Sequence, residues 1–428
     1  MNFNPREDVN PQSKRLERLF FAHPEAVELW KQHPDVILMD CTYKTNRFRM
    51  PLLNICAVTG SKKTIQIALC FLSGEKEGSY QWAMECLQEL QECLQELQEK
   101  MGISAPVLIV TDRETALMKA LDSVFPESVH LLCTWHVNMN ILANCRKHFP
   151  KDQLGETGTD VVHPMWAEFL KDWASLMDAA TEAEYTLHLI QFRTHSKAAT
   201  AYVEATWLKW KEKLIRYWVD SNLHFGVRVT SPIEGCHAVL KSYLKVSTGD
   251  LKGVFDRLQL FWPNQHRNIH DAAAQEQNKI KHRLNKPYFH LVQGLVYDKA
   301  LILILRECVK LYKAKEEASS REQRPATRAD LGLCICTIKA SMGIPCFHTI
   351  FDRLTGNGHI LPEDIHPFWW YKRPEQGTTS EIAVQTAGVV LNPAVVRGKG
   401  RPKGAKGRKS KSHGTTCMSP ASTSFTDI

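Results

Sequence analysis

Asp40, Asp112 and Glu234 each stand at the edge of an element, and three such carboxylates held together can share two Mg²⁺ or Mn²⁺ ions about 3.5–4 Å apart. One ion of the pair activates an attacking water or 3′-hydroxyl, and the other steadies the leaving oxygen. Hard cations of this kind prefer carboxylate oxygen and keep several waters. Spacing alone is a weak signal, because 46 acids offer many triples. Each helix end also has a plainer reading. Thr111 and Glu114 stand in the S/T-x-x-E relation of a capping box, which puts Asp112 in the first helical turn, where a negative charge favours the macrodipole. Ser231, Pro232 and Glu234 repeat the pattern as N-cap, N1 and N3. A cap does not exclude metal ligation, since a carboxylate has two oxygens.

A second constellation is sharper. Cys334-Ile-Cys336, nine residues, then Cys346-Phe-His348 supplies four soft or borderline ligands, and with no open position they specify structural Zn²⁺. Residues i and i+2 of a strand share a face, so a hairpin turning through Met342-Gly343-Ile344-Pro345 is predicted to bring both pairs around one ion. Cys133 and His136 form a shorter Cys-x-x-His unit. Two ligands do not complete a tetrahedral site, and an inert core thiol beside a satisfied imidazole is the ordinary reading.

The elements that position these residues follow from periodicity. Val107 to Val110 is a buried-strand run that stops at Thr111-Asp112, after which Ala116, Leu117, Ala120 and Leu121 recur at helical spacing. Residues 35–40 form a short buried strand that again ends on an acid. The runs 52–58 and 64–72, separated by a turn at 59–63, suggest an antiparallel hairpin, and 129–133 is a further strand. Residues 14–33 read as one or two helices with Leu16, Leu19, Phe20, Val27 and Leu29 as contacts. A helix from Ser79 to about Met101 carries a tandem seven-residue repeat, ECLQELQ, that sets Leu87, Leu90, Leu94 and Leu97 in register. Two heptads are too few for a coiled coil, so a sheet-packing helix is expected; the repeat adds roughly 10.5 Å of length and turns the apolar face by only about 20°. Residues 137–225 are helical in pattern, with Trp166, Trp173, Trp207, Trp210 and Trp218 as core anchors, and a second helical region runs from 231 to 313.

Bulk properties bound the class. The 428 residues suffice for two or three domains, and 43% apolar with 23% charged residues describes a globular chain. No apolar run approaches the ~20 residues a membrane span needs. Thirteen cysteines without an apolar N-terminal signal region point to a reducing compartment. The net charge is +8, and Arg397, Lys399, Arg401, Lys403, Lys406, Arg408, Lys409 and Lys411 contribute eight positive charges with no acid among them, leaving the rest neutral. Attraction to a polyanion is therefore concentrated in one tail. Within it, Lys399-Gly-Arg-Pro-Lys-Gly404 is similar to an AT-hook core, in which Arg401 enters a narrow A·T minor groove and the lysines meet phosphate; a nuclear-import signal or a nonspecific basic tail fits the same residues.

Taken in order, DVILMDCTYKTNRFRMPLLNICAVTG, TDRETALMKAL, CTWHVNMNI and SPIEGCHAVLKSYL resemble the transposase domain of Mutator-like elements over roughly residues 15–265. The pattern C-x-C-x9-C-x-H resembles the SWIM zinc finger that follows that domain. The resemblance implies an α/β, ribonuclease-H-like mixed sheet interrupted by an all-α insertion, then a small zinc-finger unit and a disordered basic tail. It implies a DDE triad of Asp40, Asp112 and Glu234, with Cys133 and His136 supporting the core. The corresponding division is a helical lead-in at 1–34, the first part of the core at 35–136, the insertion at 137–228 and the rest of the core at 229–313. A linker at 314–330, the zinc unit and flank at 331–373 and the tail at 374–428 complete it.

Such a protein is expected in the nucleus, as a homo-oligomer on double-stranded DNA, cutting transposon terminal inverted repeats and joining them to target DNA with Mg²⁺ or Mn²⁺. The alternative is a domesticated, non-catalytic DNA-binding transcriptional regulator, for which plant regulators resembling this family set the precedent; an inactive fragment of a decayed element is a third reading. Related proteins often carry an N-terminal zinc-binding DNA-recognition module, and here only a short lead-in precedes Asp40. Either the chain is truncated, or end recognition falls to the insertion, the zinc unit and the tail.

Overall fold

The apolar runs pair into one mixed sheet of seven strands: β1 (Arg6–Val9), β2 (Leu16–Ala22), β3 (Val36–Thr42), β4 (Leu52–Val58), β5 (Thr64–Phe71), β6 (Leu108–Thr111) and β7 (Val129–Leu132). Their spatial order is β1-β2-β5-β4-β3-β6-β7. Strands β3, β4 and β5 form an antiparallel meander, and β6 and β7 add to β3 in parallel. This is a computed structural model, and it describes residues 5–96, 105–154, 160–244, 249–322 and 324–373. The basic residues of the tail, the end of the heptad helix with Leu97, and the expected disordered segment lie outside the described residues.

Residues 14–33 correct the sequence reading. Leu16, Leu19 and Phe20 imitate helical spacing, yet Leu16–Ala22 is a strand paired to β5 on one side and β1 on the other. Only the second half is helical, α1 (Pro24–Gln32), with Ala26, Val27, Leu29 and Trp30 buried. The open edge of the meander offers β2 a full row of ladder hydrogen bonds, which outweighs local periodicity.

The sheet is covered on both faces because alternate residues point to opposite sides. Ile37 and Met39 of β3 pack with Trp30 of α1, Tyr80, Met84 and Leu87 of α2 (Glu77–Glu96), and Leu117 and Leu121 of α3 (Thr115–Val124). Within the duplicated repeat Leu87 and Leu90 are buried, as a sheet-packing helix requires. On the other face Val36 and Leu38 meet Ile233, Leu301, Ile304 and Trp369.

After β7 the chain enters α4 (Thr134–Cys145), a two-residue strand pair β8 (Gln153–Leu154) and β9 (Asp160–Val161), then α5 (Pro164–Met177), α6 (Glu182–Phe192), α7 (Lys197–Thr206) and the short α8 (Arg216–Val219). These helices share a core with Met118 of α3 and Leu132 of β7, in which Trp166, Trp173 and Trp207 are buried and Trp210 and Trp218 partly so. Helices α9 (Ser231–Leu244), α10 (Leu251–Leu258) and α11 (Phe261–Asn278) then return to the sheet, burying Leu240, Leu244 and Trp262 against Phe21, Leu69 and Phe71.

The stretch read as a linker from Ala314 is a second correction. Its first part, 314–322, continues α12 (Asp298–Glu322), with Ala318 buried and most of its charges on the solvent side, while 324–328 are irregular. The final described region holds α13 (Ile338–Met342) and α14 (Phe347–Gly356), the latter against α12. Its flank is fastened to the start of β3, where Arg373 donates to both oxygens of buried Asp35 at 2.7 and 3.0 Å.

Candidate active site and metal centre

Parallel pairing sets the first two acids side by side. Leu38 of β3 is in register with Val110 of β6, and two residues farther along each strand stand Asp40 and Asp112. Neighbouring strands lie about 4.8 Å apart, so both acids stand at the carboxyl end of the parallel pair, where α/β sheets place their chemistry. Asp112 does not occupy a helical turn. Helix α3 begins only at Thr115, and its N-cap is Glu114, whose side chain accepts from the Ala116 N–H at 3.1 Å. Thr111 makes no cap at all; its hydroxyl lies 2.9 Å from His130 Nε2 and donates to the Asp112 carbonyl. Asp112 is thereby left in a short gap between strand and helix, where the Glu114 N–H favours its charged form.

Glu234 arrives from α9, which packs over β3, β4 and β5. Ile233, Leu240 and Leu244 form the buried side, as their spacing predicts, and Glu234 is exposed. The helix is already formed at Ser231, so Thr230 rather than Ser231 stands immediately before it.

His136 connects the three acids. Its Nε2 is 3.9 Å from Glu234 Oε1, and its Nδ1 is 3.3 Å from the Thr230 hydroxyl. Burial pushes the Asp40 carboxyl up to about 7, repulsion from Asp112 adds to this, His136 opposes it, and Glu234 adds a smaller push. Burial likewise raises Asp112, with His136 opposing. The imidazole of His136 is raised in turn, first by its bond to Cys133 and then by attraction from Cys133, Asp40 and Asp112. Burial would raise the Cys133 thiol, but hydrogen bonds with His136 and Thr230 outweigh it and hold the thiol below its ordinary value; the Thr230 N–H donates to Cys133 Sγ at 3.1 Å. Crowded, partly buried acids of this kind suit a hard divalent cation, which relieves their mutual repulsion.

One neighbour escaped the sequence reading. His237, one helical turn after Glu234, places Nδ1 3.9 Å from Asp40 Oδ2, while its buried Nε2 has no hydrogen-bond partner among the described residues. Burial lowers it to about 4, and Lys241 adds to the effect. The Glu-x-x-His spacing, which puts both side chains on one side of a helix, was the available signal.

The Cys/His quartet is assembled, by a route other than the predicted hairpin. Cys334 and Cys336 lie on irregular chain, α13 follows, and Gly343 reverses direction in the left-handed region at φ 63°. An added Cβ at Gly343 would lie 2.5 Å from His366 Cβ, so glycine is required twice over. Cys346 is then the N-cap of α14 and His348 sits in its first turn. All four ligand atoms lie within 4.8 Å of one another. Cys334 Sγ and Cys346 Sγ are 3.7 Å apart, and Cys336 Sγ is 3.3 Å from His348 Nδ1. Tetrahedral zinc with Zn–S near 2.3 Å requires S···S edges of about 3.8 Å, so the donor set fits zinc. With Nδ1 turned inward, His348 Nε2 faces the Leu331 carbonyl at 3.1 Å, which fixes the ring's orientation. Buried Glu307 of α12 accepts from the Phe347 N–H at 3.2 Å, pinning this helix end to the core. Among the described residues this quartet is the one group of three or more His, Cys, Asp or Glu side chains gathered so as to hold a metal ion.

Residues 36–140 match the MULE transposase domain family. The chain is 24% identical over 405 residues to the PKS-NRPS hybrid synthetase cheA of Chaetomium globosum, a match covering 90% of this chain and 8% of that protein. It is 24% identical over 291 residues to Protein FAR1-RELATED SEQUENCE 6 of Arabidopsis thaliana, 65% of this chain and 36% of that one. With Protein FAR1-RELATED SEQUENCE 5 of the same plant it shares 26% identity over 126 residues, 29% and 15% of the two chains. The chain thus spans well under half the length of these curated relatives.

Proposed function

We propose that this chain, which carries a MULE transposase domain over residues 36–140, is a DDE-type transposase that cuts transposon-end DNA and joins it to a target. The observation that carries the reading is the parallel register that sets Asp40 and Asp112 side by side, with Glu234 brought over the same sheet by α9. The strand order β5-β4-β3-β6-β7, an antiparallel meander extended by two parallel strands, supports a ribonuclease-H-like core. The helical core built largely from residues 137–218 supports reading that region as an insertion between the second Asp and the Glu.

Asp40, Asp112 and Glu234 hold the divalent ions. Bound Mg²⁺ or Mn²⁺ supplies the activation of the attacking oxygen and the stabilisation of the leaving one. In cleavage, water oxygen bonds to phosphorus, the P–O3′ bond breaks, and a free 3′-hydroxyl is left. In strand transfer that hydroxyl attacks a target phosphodiester and displaces its O3′. Cys133 and His136 keep the acids oriented, His136 through Glu234 and Cys133 through the Thr230 N–H at the start of α9. Cys334, Cys336, Cys346 and His348 hold zinc in a SWIM-type unit, and the basic residues from Arg397 to Lys411 grip DNA. Homo-oligomers working in the nucleus complete the reading.

A second reading is a DNA-binding regulator derived from such a transposase, favoured by the Cys/His quartet being the group that is gathered for a metal ion among the described residues. A strand-transfer assay with Mg²⁺ or Mn²⁺ on terminal-repeat DNA separates the two. Products that disappear in Asp112→Ala support the transposase; no products from the unaltered chain, or undiminished products from the variant, overturn it.

A further inference from the structure

Between β3 and β4 the chain makes a loop, Tyr43-Lys44-Thr45-Asn46-Arg47-Phe48-Arg49-Met50, that begins three residues after Asp40. It has an unusual division of labour. Thr45 and Asn46 are buried, whereas Tyr43 and Phe48 are 49% and 55% exposed. Lys44, Arg47 and Arg49 are exposed too, and the loop contains no acid. A single exposed aromatic needs no explanation. Two of them, interleaved with three cations, form the composition that strands of unpaired nucleotides bind.

The loop is also rigid. Asn46 Nδ2 donates to the Met50 carbonyl at 2.8 Å, and its Oδ1 accepts from the Met50 N–H at 3.1 Å. The Arg47 N–H donates to the Gly249 carbonyl at 3.0 Å. Lys44 and Arg49 are held at φ 61° and 59°, a region that side-chain-bearing residues seldom adopt. Such backbone is maintained when its surroundings over-determine it, and it gathers at functional sites. The Arg47 guanidinium lies over the Phe48 ring at 4.9 Å. The Tyr43 hydroxyl donates to Glu75 at 2.6 Å, which fixes the ring. Glu75 also repels Asp112, so the loop lies within electrostatic reach of the acids.

We propose that residues 43–50 form a preorganised platform for an unpaired DNA base, with the Phe48 ring and the Arg47 guanidinium as its stacking surface and Lys44 and Arg49 on the adjoining phosphates. The platform rests on the transposase reading, and it adds a recognition element for DNA already melted at the cleavage point. Charge complementarity selects a polyanion, and the exposed rings select unstacked bases over intact duplex, whose bases are already stacked. The acid that faces the loop, Glu75, is engaged by Tyr43.

The test uses the full chain and a mixed-sequence single strand carrying 2-aminopurine, beside the duplex made from it, without added Mg²⁺ or Mn²⁺. Binding is then scored independently of whether the acids cut DNA. Stacking is expected to quench the probe in the single strand, and Phe48→Ala to abolish the quench and weaken single-strand binding about 5- to 100-fold while changing duplex binding little. Phe48→Trp should restore both, and Lys44→Gln should lower the salt slope for the single strand by about 0.7. Because Phe48 is exposed, thermal unfolding of Phe48→Ala should match the unaltered chain. Unchanged single-strand binding in Phe48→Ala, an equal loss on single strand and duplex, or a protein partner that competes while DNA does not, would each overturn the platform. Failure of strand transfer alone would overturn only the transposase reading.

Discussion

The two ligand clusters of this molecule are built in opposite ways. In the Cys/His quartet every donor comes from one short segment, Cys334 to His348, and already sits at zinc-binding spacing. The three acids come from two strand ends and a helix far apart in the sequence, and they influence one another through burial and charge. A structural site gains by being closed, since metal binding there adds directly to folding free energy. A catalytic site must leave room for water and substrate oxygens among the metal's ligands. On the proposed reading the two designs match two tasks, one contiguous quartet for structure and three acids gathered from distant elements for chemistry.

Four experiments bear on this contrast. The largest effect belongs to the open site: Asp112→Ala should lower strand cleavage by about 10³-fold or more, measured by product formation, while zinc content stays at one equivalent. The reciprocal variant, Cys346→Ser, should lose that zinc and lower the melting temperature by roughly 5–10 °C; retained zinc by elemental analysis would refute the ligand set. Next comes the clamp between the two regions. Arg373→Ala leaves the Asp35 carboxylate buried without its cation and should cost about 3–5 kcal/mol in denaturant unfolding, whereas Asp35→Asn with Arg373→Met should recover most of it.

The smallest effect is acid sensitivity. Burial holds His33 and His130 near 3, with positive neighbours adding to the shift, against 6.5 in an unfolded chain. Below pH 6.5 the unfolded chain therefore binds more protons, so stability is full above 6.5 and falls as pH drops toward about 3. At pH 5 each should cost about 2 kcal/mol. His130→Gln should flatten the decline in melting temperature between pH 7 and 5; an unchanged slope would assign the sensitivity elsewhere.

The central sheet and both strand-end acids were legible because buried runs such as Ile37–Met39 and Leu108–Val110 announce themselves locally. The quartet was legible from ligand spacing, but its scaffold was not: Gly343 satisfies a hairpin turn and a helix stop equally well, and only packing against His366 and α12 decides. Strand β2 is hidden because its apolar spacing fits a helix and the edge that recruits it, β5, lies far downstream in the sequence. The Asp112 gap was hidden by the Thr111–Glu114 pair, whose capping geometry dissolves once His130, from the neighbouring strand, takes the threonine hydroxyl. The charged end of α12, residues 314–322, reads as a linker because composition alone does not say which side of a helix is wet.

The join between Thr134 and Arg228 has a consequence beyond stability. The Thr134 N–H and hydroxyl both donate to the Arg228 carbonyl, at 3.0 and 3.1 Å, closing a long excursion of the chain. The two ends of residues 134–228 are thus tied to each other a few residues before Glu234, while Lys213 on the His130 carbonyl and Arg113 over the Trp207 ring fasten the segment to the sheet side as well. Loop closure grows only logarithmically with length, about 0.6 kcal/mol per doubling. A change in the length of its surface connections should therefore cost little chain entropy so long as the clasp keeps Thr230 and Glu234 in place.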